Sequence, residues 1–160
     1  MAMGRISPFL WFDDQAEQAA ELYVSIFPNS RITGATRYGE AGPGKPGSVM
    51  TVSFELDGLE VTALNGGPYF KLTEAFSMSV DCADQAEVDR YWDRLIEGGG
   101  QPSQCGWLKD RFGLSWQIVP GALPRLLGDP DKAKAQRVIA AMMKMIKLDV
   151  AALEAAAAAG

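Results

Sequence analysis

Asp14-Gln15-Ala16-Glu17 recurs as Asp84-Gln85-Ala86-Glu87, at an offset of 70 residues. In both copies an alternating segment precedes the string, Ile6–Phe12 in the first and Phe76–Cys82 in the second. An amphipathic helical pattern follows each. A four-letter match is weak evidence by itself. With the same strand before it and the same helix after it, it marks a duplicated unit.

Each copy carries Asp and Glu at the spacing of an N-cap and the third helical position, so Asp14/Glu17 and Asp84/Glu87 are expected to satisfy orphan N–H groups and complement the helix dipole. The first helix gathers Ala16, Ala19, Ala20, Tyr23 and Ile26/Phe27 on one side and ends at Pro28-Asn29. The second gathers Val88, Tyr91/Trp92 and Leu95, and Gly98-Gly99-Gly100 stops it. Strand patterns follow at Arg31–Tyr38, Val49–Leu56 and Leu59–Leu64, with Asp57-Gly58 as a two-residue hairpin signal. In the second half they follow near Gln101–Ser103, at Cys105–Lys109 and at Leu114–Val119. Each half therefore reads βαβββ. Beyond Pro120, Asp129-Pro130 places an N-cap before a first-turn proline. A helix pattern runs through Val138, Ile139, Met142, Met143 and Ile146, with Lys144 and Lys147 suited to its C-terminal end. Asp149 is placed to cap a last helix around Leu153, and the Ala-rich tail Ala151–Gly160 is a helical extension or a frayed end.

Composition narrows the chemistry. The chain has 160 residues, 48% of them apolar and 22% charged, which suits a globular domain with a sizeable core. It contains no histidine. That excludes imidazole bases, Ser/His and Cys/His pairs, and most zinc and iron sites. Fifteen basic against 20 acidic side chains argue against a nucleic-acid surface. The basic residues between Gly121 and Lys147 read as a solvated helix face. Cys82 and Cys105 are too few for a secreted disulfide scaffold, and no apolar run approaches the ~20 residues of a membrane span. The expected setting is a reduced cytoplasm, without membrane partners.

Strand alternation separates two faces. One collects Ile6, Leu10, Phe12, Met50, Val52, Phe54, Phe76, Met78, Val80, Leu114, Trp116 and Ile118, and must pack under the helices. The other collects Ser7, Phe9, Trp11, Thr51, Ser53, Thr62, Leu64, Ser77, Ser79 and Gln117, with Glu55 and Asp81 at strand ends. A face that met solvent would carry Lys, Glu and Arg. Small hydroxyls, an amide and two large aromatics read either as the lining of a ligand cavity or as a semi-polar core or dimer seam.

The strings Ser7-Pro8-Phe9-Leu10-Trp11-Phe12, Leu22-Tyr23-Val24-Ser25-Ile26-Phe27-Pro28, Leu64-Asn65-Gly66-Gly67-Pro68 and Asp110-Arg111-Phe112-Gly113-Leu114-Ser115-Trp116-Gln117, set in paired βαβββ modules, resemble the PhnB-like branch of the vicinal oxygen chelate (glyoxalase/bleomycin-resistance/dioxygenase) superfamily. That branch often carries the label "demethylubiquinone methyltransferase-like". The resemblance covers about residues 5–150. It implies an α+β fold of two βαβββ modules, about 5–66 and 75–120, forming a curved, cavity-enclosing mixed sheet with helices outside. Residues 121–160 would be a C-terminal helical extension.

Metal-dependent members of that superfamily carry His or Gln on the first strand of each module and Glu on the last. Their pattern places those ligands at Ser7, Ser77 and Gln117, with a fourth near Thr62. Two serines, a threonine and an amide offer a divalent ion little charge compensation, so no metal and no cofactor is expected. No glycine-rich strand–turn–helix is present to cradle S-adenosylmethionine, which sets the methyltransferase label aside.

The resulting expectation is a homodimeric small-molecule protein. Ser7, Phe9, Trp11, Thr62, Leu64, Asn65, Ser77, Ser79 and Gln117 would line its ligand site. If it performs chemistry, Gln117 and Asn65 are the candidate electrostatic stabilisers, and Lys109, Asp110 and Cys105 the candidate acid/base groups. Two alternatives remain: a non-catalytic protein that sequesters its ligand, and a metal-dependent lyase or dioxygenase. Gly39-x-x-x-x-Gly44-Lys45 resembles a phosphate loop. However, Pro46 stands where Ser or Thr must ligate magnesium, and a strand follows rather than a helix.

Overall fold

A computed structural model describes residues 4–160. The chain divides into two compact units, one up to Leu72 and the other Thr73–Gly160.

The first unit runs β1 (Phe9–Phe12), α1 (Ala16–Ile26), β2 (Arg31–Arg37), β3 (Val49–Leu56) and β4 (Leu59–Asn65). Its sheet order is β1-β4-β3-β2, with β1 parallel to β4 and the other pairs antiparallel. The second unit repeats the plan with β5 (Ser77–Cys82), α2 (Gln85–Ile96), β6 (Gln101–Pro102), β7 (Trp107–Lys109) and β8 (Ser115–Pro120). Its order is β5-β8-β7-β6, again with the outer pair β5/β8 parallel. The strands form two four-stranded mixed sheets, and the duplicated βαβββ unit is real at the level of strand order. The hairpin at Asp57-Gly58 has φ of 46° and 87°, as a two-residue turn of this twist requires.

The apolar strand face packs as the alternation predicts. Leu10, Phe12, Val52 and Phe54 are buried in the first unit, and Met78, Leu114, Trp116 and Ile118 in the second. They meet Ala16, Ala19, Ala20 and Tyr23 of α1, or Val88, Tyr91, Trp92 and Leu95 of α2, which are buried too. Four expected members are not in the buried core: Met50 and Val80 are half-buried, and two others are exposed. Ile6 is 93% exposed and Phe76 is 43% exposed, because each precedes its strand rather than lying in it.

The two Asp-Gln-Ala-Glu strings cap differently. Asp84 accepts from the Glu87 N–H at 2.9 Å, and the Glu87 carboxylate accepts from the Ala83 N–H at 2.9 Å. In the first copy the N-cap residue is Gln15, not Asp14, and its side chain makes no cap bond. The Ala16 N–H is met instead by Asn65 Oδ1 at 2.8 Å.

Beyond β8 the pattern was legible only in part. A short helix α3 (Ala122–Leu127) was not foreseen, and α4 spans Lys132–Met142, so Lys144 and Lys147 lie past its end. Its N-cap is Asp131 rather than Asp129; Asp131 accepts from Ala133 and Lys134 N–H groups. The last helix, α5 (Val150–Ala158), is ordered into the Ala-rich tail and capped by Asp149, as expected. These helices share a small core of Leu123, Leu126, Val138, Leu148, Leu153 and Ala157. Several basic residues of this region are tied within the fold: Arg125 to Glu154, Lys134 to Asp129, Lys147 to Asp89, and Arg137 to the Ala156 and Ala157 carbonyls.

Candidate functional site

The strand faces opposite α1 and α2 carry the remaining side chains, and at the end of β8 Val119 meets the core of the C-terminal helices. In the first unit, Phe9, Thr62 and Ser53 stand opposite one another in one cross-strand row, and Trp11, Leu64, Thr51 and Thr36 in the next. The Thr36 and Thr51 hydroxyls are 2.6 Å apart. Phe9 is 61% exposed, whereas Trp11, Thr62 and Leu64 are half-buried. Trp11 is fixed in place: its indole Nε1–H donates to the Gly67 carbonyl at 2.9 Å, and Phe70 meets its ring edge-on with centroids 4.9 Å apart. A Cβ at Gly66 would stand 2.4 Å from the indole, so only glycine lets the ring lie there. Phe70 was missed as part of this face. The run Asn65-Gly66-Gly67-Pro68 reads as a tight turn whose side chain and amides could line a cavity mouth, without any sign of the contact with the Trp11 ring.

In the second unit the corresponding rows are Ser77, Ser115, Lys109 and Gln101, then Ser79, Gln117 and Trp107. Gln117 Nε2 donates to Ser77 Oγ at 3.0 Å. Lys109 pairs with Glu74, and that hydrogen bond holds the Glu74 carboxyl below its ordinary range. Ser115, absent from the expected lining, is 1% exposed, and its hydroxyl has no hydrogen-bond partner. Ser79 is exposed.

The other candidates lie elsewhere. Ser7 precedes β1 and is exposed, so it does not share the strand position of its repeat counterpart Ser77. Asn65 follows the parity of Val61 and Ala63, on the helix side of β4. Its Oδ1 accepts from Ala16 N–H, its Nδ2 donates to the Val49 carbonyl at 3.1 Å, and its own carbonyl accepts from the Tyr38 hydroxyl at 2.6 Å. These contacts make it a structural tie, because one residue along a strand changes face. Asp110 is also committed to structure. Buried at 3% exposure, it accepts from Phe112 and Leu114 N–H groups at 2.8 and 3.1 Å, and from Trp116 Nε1–H at 2.9 Å. Cys105 occupies the turn between β6 and β7 with φ of 58°. Its N–H donates to the Met145 carbonyl, and its Sγ lies 3.8 Å from Met143 Sδ. Cys82 is buried, and burial pushes its thiol up to about 11.

The loop that resembled a phosphate site wraps Tyr38 instead. A Cβ at Gly42 or Gly44 would stand 2.6 or 2.2 Å from its ring. A cleft of about 370 Å³ lies beside this loop, where Asp13, Asp14 and Glu17 near the start of α1 face Lys45 and Tyr69.

Two βαβββ units with a parallel outer pair and helices on one face define the fold of the glyoxalase/bleomycin-resistance, or vicinal oxygen chelate, superfamily. The family model described as 3-demethylubiquinone-9 3-methyltransferase matches residues 4–119, and the chain belongs to that family, the PhnB-like branch. A PhnB protein from Bacillus cereus is 33% identical, with a TM-score of 0.67 over 74% of this chain and 100% of that one. Protein PA1353 from Pseudomonas aeruginosa shares the fold at 20% identity and TM-score 0.60, covering 73% of this chain and 97% of that one. The fosfomycin resistance protein FosX from Listeria monocytogenes shares it at 19% identity and TM-score 0.56, covering 81% of this chain and all of its own. No curated protein matches the sequence.

The groups these names imply fit the residues poorly. Ser77 and Gln117, where the resemblance would put metal ligands, are neutral and bonded to each other. Among the described residues, no three His, Cys, Asp or Glu gather to hold a metal ion. The nucleoside sites of dinucleotide-binding folds use a glycine-rich turn leading into a helix. Here β1 joins α1 through Asp13-Asp14-Gln15 and β5 joins α2 through Ala83-Asp84, acidic connections without glycine. Among the described residues, no helix is long and apolar enough to cross a membrane.

Proposed function

We propose that the chain binds a small organic molecule on the sheet faces opposite α1 and α2, without a metal and without methyl-transfer chemistry. The observation that carries this reading is the make-up of those faces. Half-buried Thr51, Ser53, Thr62 and Leu64 flank the fixed indole of Trp11, and the Gln117–Ser77 pair lies beside Trp107. Neutral hydroxyls and an amide orient a polar group, and aromatic rings hold a flat body. Of the five side chains considered for catalysis, Asn65 and Asp110 are committed to the framework, Gln117 is bonded to Ser77 and Cys105 lies in a turn, which leaves Lys109 in an exposed pair with Glu74. These commitments favour the sequestering form of the reading over turnover. Exposed Met143 and Ile146 support a homodimer, and two free thiols support a reducing, cytoplasmic setting.

Elemental analysis of protein purified without chelator is expected to show substoichiometric metal, and one tight equivalent per chain overturns the metal-free reading. A metabolite and drug screen followed by tryptophan fluorescence identifies the ligand. Binding that survives in both Trp11→Ala and Gln117→Ala overturns the face assignment. Conversion of the bound compound would assign an enzyme; binding without conversion, a sequestering protein. Light scattering checks the dimer.

A further inference from the structure

The second sheet's face opposite α2 carries a smaller and more specific feature. A cleft of about 280 Å³ is lined by Gln101, Trp107, Lys109, Ser115 and Glu74. Ser115 is one of its lining residues, and among the described residues its hydroxyl is the buried side-chain polar atom without a hydrogen-bond partner. Burying a hydroxyl unsatisfied is costly, so such an atom at a cleft marks a place for an incoming acceptor. Lys109 stands directly opposite Ser115 on β7, so an ammonium and a hydroxyl donor share one cross-strand row. Trp107 adds an aromatic wall from the adjacent row.

The chain supplies its own carboxylate here. Glu74 sits in the turn before β5, where the Phe76 N–H donates to the Thr73 carbonyl and the Ala75 N–H to Thr73 Oγ1. Its side chain is 63% exposed yet pairs with Lys109. An exposed ion pair of this kind contributes little to stability and is readily exchanged. The Lys109 donor is thus complementary to a carboxylate, and the carboxylate now on it comes from the solvent side.

Resting on the small-molecule reading above, we propose that this cleft takes a compact ligand with a carboxylate-type anionic group on a flat apolar body. The anion displaces Glu74 from Lys109 and accepts the Ser115 hydroxyl proton in a hydrogen bond, while the body lies against Trp107. The cleft volume limits the ligand to roughly the size of a substituted benzoate.

The test is a titration of the ¹⁵N-labelled full chain with benzoate, and with benzamide as its uncharged match, followed by amide chemical shifts. Benzoate is expected to shift Trp107, Lys109, Ser115 and Glu74 saturably, and benzamide to bind at least tenfold more weakly. Lys109→Gln should weaken benzoate at least tenfold and Ser115→Ala several-fold. Glu74→Gln should tighten it several-fold by removing the internal competitor, which a purely structural ion pair would not do. Equal binding of benzamide, or no tightening in Glu74→Gln, overturns the anionic assignment and leaves the small-molecule reading standing. No benzoate shift at these residues overturns the proposal in the same way. If the broader compound screen is also silent on both faces, the small-molecule reading falls with it.

Discussion

Asn65 Oδ1 accepts the Ala16 N–H at 2.8 Å, so the first helix is capped by a strand residue 49 positions away rather than by its own leading aspartate. The second helix, opened by the same four letters, is capped locally by Asp84. The difference follows from the Asn65 side chain lying on the helix side of β4, where it can serve α1, β3 and β4 together.

Asymmetric capping predicts asymmetric mutational cost. Asp84→Ala should lose about 1 kcal/mol, whereas Asp14→Ala should stay within ~0.5 kcal/mol. Asn65→Ala removes an acceptor and a donor and should cost about 2 kcal/mol. Urea unfolding of the three variants measures the order, and a cost for Asp14→Ala equal to that of Asp84→Ala would contradict the observed caps.

Asp110 holds the turn before β8 through two backbone N–H groups and the Trp116 indole. Asp110→Ala deprives buried donors of their acceptor and should destabilise by about 3 kcal/mol, lowering Tm by roughly 6–12 °C. Near-ultraviolet circular dichroism should change with it as Trp116 loses its fixed orientation. A Tm within 2 °C of the parent would refute the structural role.

The Tyr38 clamp can be tested with two glycines of one loop. Gly44→Ala puts a methyl group against the ring and should cost about 1–3 kcal/mol, loosening the Tyr38 hydroxyl from the Asn65 carbonyl. A Cβ at Gly39 meets nothing within 4 Å, so Gly39→Ala serves as the near-neutral control. Thermal melts compare the pair.

Cys82 ties stability to pH. Burial raises its thiol to about 11 in the folded chain, against an ordinary value of 9.0. Between those values the unfolded chain has released a proton that the folded chain keeps, so raising pH favours unfolding. The Cys82 contribution is fully present below about pH 9 and is lost as pH rises towards about 11. Unfolding free energies of the parent and Cys82→Ala, measured from pH 8 to 11, should converge across that window. A pH-independent difference would remove the effect.

Much of the fold was legible because its signals are local. Alternation of period two identified β3 with both boundaries correct, and it separated Leu10, Phe12, Val52 and Phe54 from Phe9, Trp11, Thr51 and Ser53. Helical spacing identified the buried sides of α1 and α2. Where competing local signals overlapped, the reading slipped. Asp129-Pro130 looked like a helix start, but Asp131 had the free side chain and backbone geometry to cap α4.

The site was less legible. Ser77 and Gln117 were singled out 40 positions apart and are bonded to each other. Ser115 gave no sign, since a serine in a strand is ordinary until its hydroxyl proves buried and unpartnered. Gly66 and Phe70 acquire meaning only beside the Trp11 indole.

The sequence by itself determined the duplicated βαβββ plan, the division of each strand into two faces, and the absence of histidine from every position. Those properties depend on residue type and on spacing along one chain segment. Tertiary structure decided which polar groups are satisfied. It assigned Asn65 and Asp110 to the framework, paired Lys109 with Glu74, and left the Ser115 hydroxyl open. Hydrogen-bond satisfaction depends on partners brought together from distant segments, so it appears only once the chain has folded.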